Sequence, residues 1–247
     1  MKFKWKLAGL VVIGTAIVSA IAFVVYVPEI KNLTDSSPVI TEERNINGYN
    51  KINFSGIGEL EIVQTGTEGI QISAAENILP DIETNVSNNT LTIRYKWSWR
   101  KNSLKNQRPV KIQVQVADLS KIIISGAGTV SSPGLKTANL ELSLSGASQV
   151  NLNIEVDSLK SEITGAGQMT LAGVARNQKI NISGVGKYIA QSLSGNDADV
   201  IISGLGSAEV AVNNTLNIVI SGGGKVSYSG KPKVTKQISG LGSIIKE

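Results

Sequence analysis

Three groups of residues in this chain have types and spacings that could do chemistry. The first is a small tetrapeptide. It reads SGIG at Ser55–Gly58, SGAG at Ser125–Gly128, SGAS at Ser145–Ser148 and TGAG at Thr164–Gly167. It returns as SGVG at Ser183–Gly186, SGLG at Ser203–Gly206, SGGG at Ser221–Gly224 and SGLG at Ser239–Gly242. Glycines spaced this way cradle a phosphate when G-x-G-x-x-G opens a helix. From Gly126 onward the third glycine never stands at the required offset, and no G-K-[ST] occurs. A calcium-binding glycine repeat needs an aspartate soon after each G-x-G. Here Thr129, Gln168, Lys187, Ser207, Lys225 and Ser243 follow instead, and only GNDAD, Gly195–Asp199, has a calcium-like look.

The second group is the carboxylates. Glycoside hydrolysis uses two of them about 5–10 Å apart. Counted from the preceding motif serine, Glu155 and Asp157 fall at offsets 10 and 12, Asp197 and Asp199 at 14 and 16, and Glu141 at 16. No offset accumulates acids in neighbouring repeats. The chain has no histidine, the commonest general base, and no cysteine, hence no disulfide, thiolate metal site or lipidation cysteine. These counts argue against an enzyme and point to no cofactor or metal.

The third group is RYKWSWRKNSLKNQRPVK, with seven cations and no acid: Arg94, Lys96, Arg100, Lys101, Lys105, Arg108 and Lys111. Leu91, Ile93, Tyr95, Trp97 and Trp99 alternate through its start. A strand that begins in a core thus runs into aromatics on one face and cations on the other. Tryptophan favours a membrane interface, and cations favour anionic headgroups. An acidic glycan would meet the same requirements. The bland alternative is that Trp97 and Trp99 cap the core while the lysines sit in solvent.

The elements that must position these groups follow from the spacing. From Ser125 the motifs begin at 125, 145, 164, 183, 203, 221 and 239, in steps of 18–20 residues. A fixed short period marks a solenoid. The runs before the motifs alternate, as in Leu140, Leu142, Leu144 and Leu216, Ile218, Ile220, and period two means strand. About 19 residues hold three short strands and three corners, one turn of a parallel β-helix. Gly56, Gly126, Gly146, Gly165, Gly184, Gly204, Gly222 and Gly240 are then corner residues, where glycine tolerates positive φ and close backbone approach. Stacked serine hydroxyls are expected to bond from turn to turn. Between Ser55 and Ser125 the motif is missing, and strand-like runs such as ELEIVQ and VKIQVQVA predict longer excursions.

The start has its own pattern. MKFKWK is followed by Leu7–Val27, which carries no charge. Ala20-Ile21-Ala22 offers a signal cleavage site, but the apolar run outlasts a signal core and suits a membrane-spanning anchor. Its lysines would keep the N-terminus in the cytoplasm and export everything after Pro28. Residues 1–27 are therefore read as a transmembrane anchor, 28–43 as a polar linker and 44–247 as the solenoid. The net charge of +5 falls to +2, 21 basic against 19 acidic residues, once the first three lysines are set aside. That balance does not suit nucleic acid.

RNINGYNKINFSGIGELEIVQ, ISAAENILPDIETNVSNNTLTIRYK and the serial ISGAG, ISGVG and ISGLG blocks together resemble the putative auto-transporter adhesin head GIN domain family. The likeness runs from about Arg44 to the C-terminus. It implies a right-handed β-helical domain of bacterial envelope proteins and brings no catalytic residues. The expectation is an all-β, monomeric, exported module of adhesin type that binds lipid headgroups, a surface polymer or a partner protein. A carbohydrate-active enzyme and a structural spacer are the alternatives.

Overall fold

The computed structural model describes residues 37–96 and 110–247. The expected anchor, and Trp97, Trp99, Arg100, Lys101, Lys105 and Arg108, lie outside the described residues. Among the described residues no helix is long and apolar enough to cross a membrane. All of them belong to one compact unit, Thr34–Glu247.

Alternating apolar residues can be satisfied only if one side of each strand faces an interior. The described strands meet this need by stacking into a single sheet that winds into a β-solenoid of about seven turns. The repeating part comprises β8 (Lys121–Ile124), β9 (Ala127–Leu144), β10 (Gln149–Ile163), β11 (Gln168–Ile182), β12 (Lys187–Ile202) and β13 (Ser207–Ile220). The last turns are β14 (Lys225–Ser229), β15 (Lys233–Ile238) and β16 (Ser243–Lys246). Neighbours pair in parallel, so like positions form columns. Ile124, Leu144, Ile163, Ile182, Ile202 and Ile220 make one buried column. Val130, Val150, Met169, Tyr188, Ala208 and Val226 make another. Each large apolar side chain so buried contributes about 1.5–3 kcal/mol relative to exposure. No single turn could enclose them alone.

The expected three short strands per turn are not what forms. Only the tetrapeptide corner interrupts the ladder, and the rest of each full turn is one strand of 14 to 18 residues. The strands bend by slipping. Inward–outward alternation breaks at Asp157–Ser158 and Arg176–Asn177, where two successive residues face out. Register shifts occur between Leu152 and Ile154 and between Thr170 and Ala172. Such bulges turn the chain without losing the ladder.

The corner glycines are needed for a different reason from positive φ. At Gly126, Gly146, Gly165, Gly184, Gly204, Gly222 and Gly240 a Cβ would fall under 3.0 Å from the corner glycine oxygen one turn back. Those oxygens are also acceptors. The Val185 N–H donates to Gly165 O and the Leu205 N–H to Gly184 O, each at 3.2 Å. Corner backbones thus stack directly, and any side chain would part them. The serine hydroxyls contribute less than expected. Ser55 Oγ and Ser145 Oγ reach carbonyls of neighbouring turns at 3.4 and 3.5 Å rather than each other.

The missing motifs between Ser55 and Ser125 also find their reason. β2 (Lys51–Phe54) and β3 (Ile57–Gln64) form a turn that lies directly on β8 and β9, with Phe54 beside Ile124 and Leu60 beside Val130. On its other side lie β6 (Thr90–Tyr95) and β7 (Lys111–Val116), again in parallel. Antiparallel strands then close this end. β4 (Gly69–Ala75) pairs with β7, β1 (Val39–Arg44) with β4, and β5 (Ile82–Ser87) with β6. Asn88 and Asn89, both at positive φ, make the tight turn from β5 to β6. Strand pairing therefore begins at Val39, inside the stretch read as linker.

The opposite end is open. In β15, Val234, Lys236 and Ile238 stack on the inward residues Leu216, Ile218 and Ile220. Lys236 thus occupies a core column and leaves a charge on the terminal edge, a device that discourages further pairing.

Candidate binding surface at an inserted corner

The cation-rich run falls at a definite place in the solenoid. β6 stacks on β2 up to Phe54 and Ile93, and the Ser55 N–H donates to Ile93 O at 3.0 Å. The Tyr95 ring then covers Gly56, where a Cβ would collide with it, and its hydroxyl donates to Ile57 O at 2.7 Å. Burial pushes the Tyr95 phenol well above its usual pKa. On the far side Val110 O lies against Gly58 and accepts from the Glu59 N–H at 2.8 Å. Tyr95 and Val110 therefore flank the corner that SGIG turns in the next layer. In sequence, residues 96–109 stand between Tyr95 and Val110 where other turns have a four-residue motif.

The described cations of the run are not bare. Arg94 Nε donates to Glu83 Oε2 at 2.7 Å, across the β5–β6 hairpin. Lys96 Nζ donates to Pro80 O at 2.8 Å. Lys111 Nζ lies 3.5 Å from Glu59 Oε2. The stretch free of acids in sequence thus meets two acids in space. Exposed pairs like these hold about 0–1 kcal/mol each and are screened by salt, so they orient Arg94 and Lys111 more than they stabilise the fold.

Lys111 also borders a polar groove of about 450 Å³ on the adjoining sheet face, lined among others by Glu59, Glu61, Gln71, Ser73 and Gln113. Gln113 Nε2 donates to Glu61 Oε2 at 2.8 Å, and the Thr41 and Ser73 hydroxyls share a hydrogen bond of 2.7 Å. The groove escaped sequence reasoning because β3, β4, β7 and β9 each supply part of it, and only their pairing brings residues 59, 71, 113 and 129 together. The outward-facing polar residues of ELEIVQ, GIQIS and KIQVQV were its one sequence signal.

The carboxylates weighed for hydrolysis sit in ladders with neighbouring turns. Glu155 pairs with Lys136 and Asp157 with Arg176, each at 2.7 Å. Asp197 accepts from Asn214 Nδ2 at 2.9 Å and from the Thr215 hydroxyl, and Asp199 accepts from Asn217 Nδ2 at 2.8 Å. Glu141 accepts from Lys160, and Lys121 lies beside it. Among the described residues no group of three or more Asp and Glu could hold a metal ion.

A capped stack of near-identical turns with polar outer columns defines a β-solenoid that presents a repeating surface. The chain belongs to the family described as putative auto-transporter adhesin, head GIN domain, whose model matches residues 48–232. A putative adhesin from Bacteroides fragilis NCTC 9343 superposes with a TM-score of 0.80 at 26% identity, over 86% of this chain and 98% of that one. A structure named putative lipid binding protein, from Parabacteroides distasonis ATCC 8503, superposes with a TM-score of 0.66 at 25% identity over the same shares. A putative adhesin from Parabacteroides merdae ATCC 43184, at 22% identity and a TM-score of 0.66, covers 86% of this chain and 97% of its own and shares the fold. None of the curated proteins matches the chain. The relatives agree with a surface module of adhesin type.

Proposed function

We propose that this protein is an exported, non-catalytic envelope module that binds an anionic surface through its inserted corner. In this reading Leu7–Val27 is the tether. The contact residues are Arg94, Lys96, Trp97, Trp99, Arg100, Lys101, Lys105, Arg108 and Lys111. The observation that carries the reading is the position of the insertion. Where every other described turn spends a four-residue motif on its corner, this one holds fourteen residues between Tyr95 and Val110, rich in cations and tryptophan. Each cation near an anionic bilayer contributes about 1 kcal/mol within a Debye length. Arg94 and Lys111, tied to acids, hold less of this than an unpaired cation would. Family membership supports a binding module, and the relative named a putative lipid binding protein favours lipid headgroups as the ligand. An acidic glycan is the second reading; it rests on the same cations and not on the groove beside Lys111, which carries Glu59 and Glu61.

The test replaces Arg100, Lys101 and Lys105 by glutamine in the domain that begins at Thr34. Binding to phosphatidylglycerol vesicles and to an acidic polysaccharide should weaken, more at low salt than at high. Equal binding by variant and wild type to both would remove the insertion from the account.

A further inference from the structure

A second surface lies along the same corner and uses none of residues 97–109. The third residue of each motif is Ile57, Ala127, Ala147, Ala166, Val185, Leu205, Gly223 and Leu241. All eight are exposed, and none is polar. Four of them donate their backbone N–H to the corner before: Ala127 to Gly56 O, Val185 to Gly165 O, Leu205 to Gly184 O and Gly223 to Gly204 O. The column therefore runs about 34 Å at the usual strand spacing. Gly223 interrupts the line of side chains, but exposed positions need no apolar residue for folding, so a corner column without one polar residue calls for a contact.

The line is heaviest towards the open end. Val185 is 66% exposed, Leu205 68% and Leu241 94%, and the outward-facing Ile201 and Val219 flank them. Exposed Ser183, Ser203, Ser221 and Ser239 run beside it on one side, and on the other stand Lys225 and Lys187, the latter 3.0 Å from Glu209 Oε1. This end of the chain is cationic: from Lys179 to Glu247 there are seven lysines and four acids.

We infer that this ridge, centred on Val185, Leu205 and Leu241, is a docking surface for an anionic phospholipid interface. A corner is convex. A rigid partner would need a matching groove to cover it, whereas a lipid interface yields around it. Apolar side chains would enter the headgroup boundary while serine hydroxyls and lysines meet phosphates, the chemistry of interfacial binding. The inference goes beyond the inserted corner and shares with it only the kind of surface bound.

The domain from Thr34 contains the whole core, and its solved relatives consist of little else, so it can be tested alone. The triple variant Val185→Asn, Leu205→Asn, Leu241→Asn keeps the charge and touches no buried residue. Sedimentation with phosphatidylglycerol and with phosphatidylcholine vesicles is measured for wild type, this variant and the Arg100, Lys101, Lys105 glutamine variant. Unchanged circular dichroism and melting confirm the fold of each. Partition of the ridge variant onto phosphatidylglycerol should fall on the order of tenfold. If the ridge variant binds like wild type while the loop variant does not, the ridge inference is overturned and the inserted corner stands. If wild type binds neither vesicle, both fail. If wild type is dimeric and the ridge variant monomeric, the ridge joins two copies and the lipid assignment is wrong.

Discussion

Replacing Gly204 by alanine should be among the most damaging single changes available in the repeat. The new Cβ would lie under 3.0 Å from Gly184 O and 2.8 Å from Ser183 O. Both are backbone atoms of the neighbouring turn, so no side-chain rotation relieves the overlap. The turns must part, which strains the Leu205 N–H bond to Gly184 O at 3.2 Å and the Ser203 N–H bond to Ile182 O at 2.9 Å. Overpacking costs about 1–3 kcal/mol and each weakened ladder bond about 1 kcal/mol, roughly 3–5 kcal/mol together. For a domain of this size that lowers the melting temperature by about 6–20 °C. Gly134 is the control: it is exposed, its φ is not left-handed, and a Cβ there meets nothing within 4 Å. Gly134→Ala should leave melting unchanged or raise it slightly, because alanine restricts the unfolded chain. Thermal denaturation followed by circular dichroism compares the two. Melting temperatures within about 2 °C of each other would refute direct backbone stacking as the reason for the glycines.

Three further outcomes follow from side chains. Tyr188, buried in its column, donates to Gln178 Oε1 at 3.1 Å, so Tyr188→Phe leaves a buried acceptor without its donor and should cost about 1–3 kcal/mol in urea unfolding. Hydrogen bonds from Lys160 first and Lys121 second hold the Glu141 carboxyl below its usual range. The folded protein thus binds this proton more weakly than the unfolded chain, and the contribution is present above the unfolded glutamate range and lost as pH falls through the lowered folded value. Melting temperatures of wild type and Glu141→Gln should therefore differ at neutral pH and converge in acid; a constant gap would show that the lysines are not the cause. Lys236→Ile restores an apolar residue to the core column at the open end and should promote end-to-end association in light scattering, while the wild-type domain stays monomeric.

Much of the fold was legible because a solenoid repeats its constraints. Each turn needs an apolar residue at the same inward place and a residue without a side chain at the same corner, so the period and Gly126 to Gly240 stand out in the sequence. Strand number per turn was not legible: Pro133-Gly134 marks the bulge opposite Leu152 and Ile154, but the one between Ile189 and Ser192 has no glycine or proline to mark it. Nor was the order of turns at the capped end. Nothing local to Phe54 says that its neighbours are Ile93 and Ile124, residues about 40 and 70 positions away. The cation run was legible as chemistry, but its partners Glu59 and Glu83 come from strands that only register brings close. The apolar ridge was in plain sight as the third letter of each motif. Its outward position follows only from the stacking of the corners, which no single motif reveals.

The most direct test of the account is whether the wild-type domain from Thr34 binds an anionic surface at all. Its partition onto phosphatidylglycerol and phosphatidylcholine vesicles should be measured at low and at high ionic strength. The account predicts binding to the anionic vesicles that weakens as salt screens the cations, with little binding to the neutral ones. Equal partition onto both lipids, or none onto either at low salt, would contradict it.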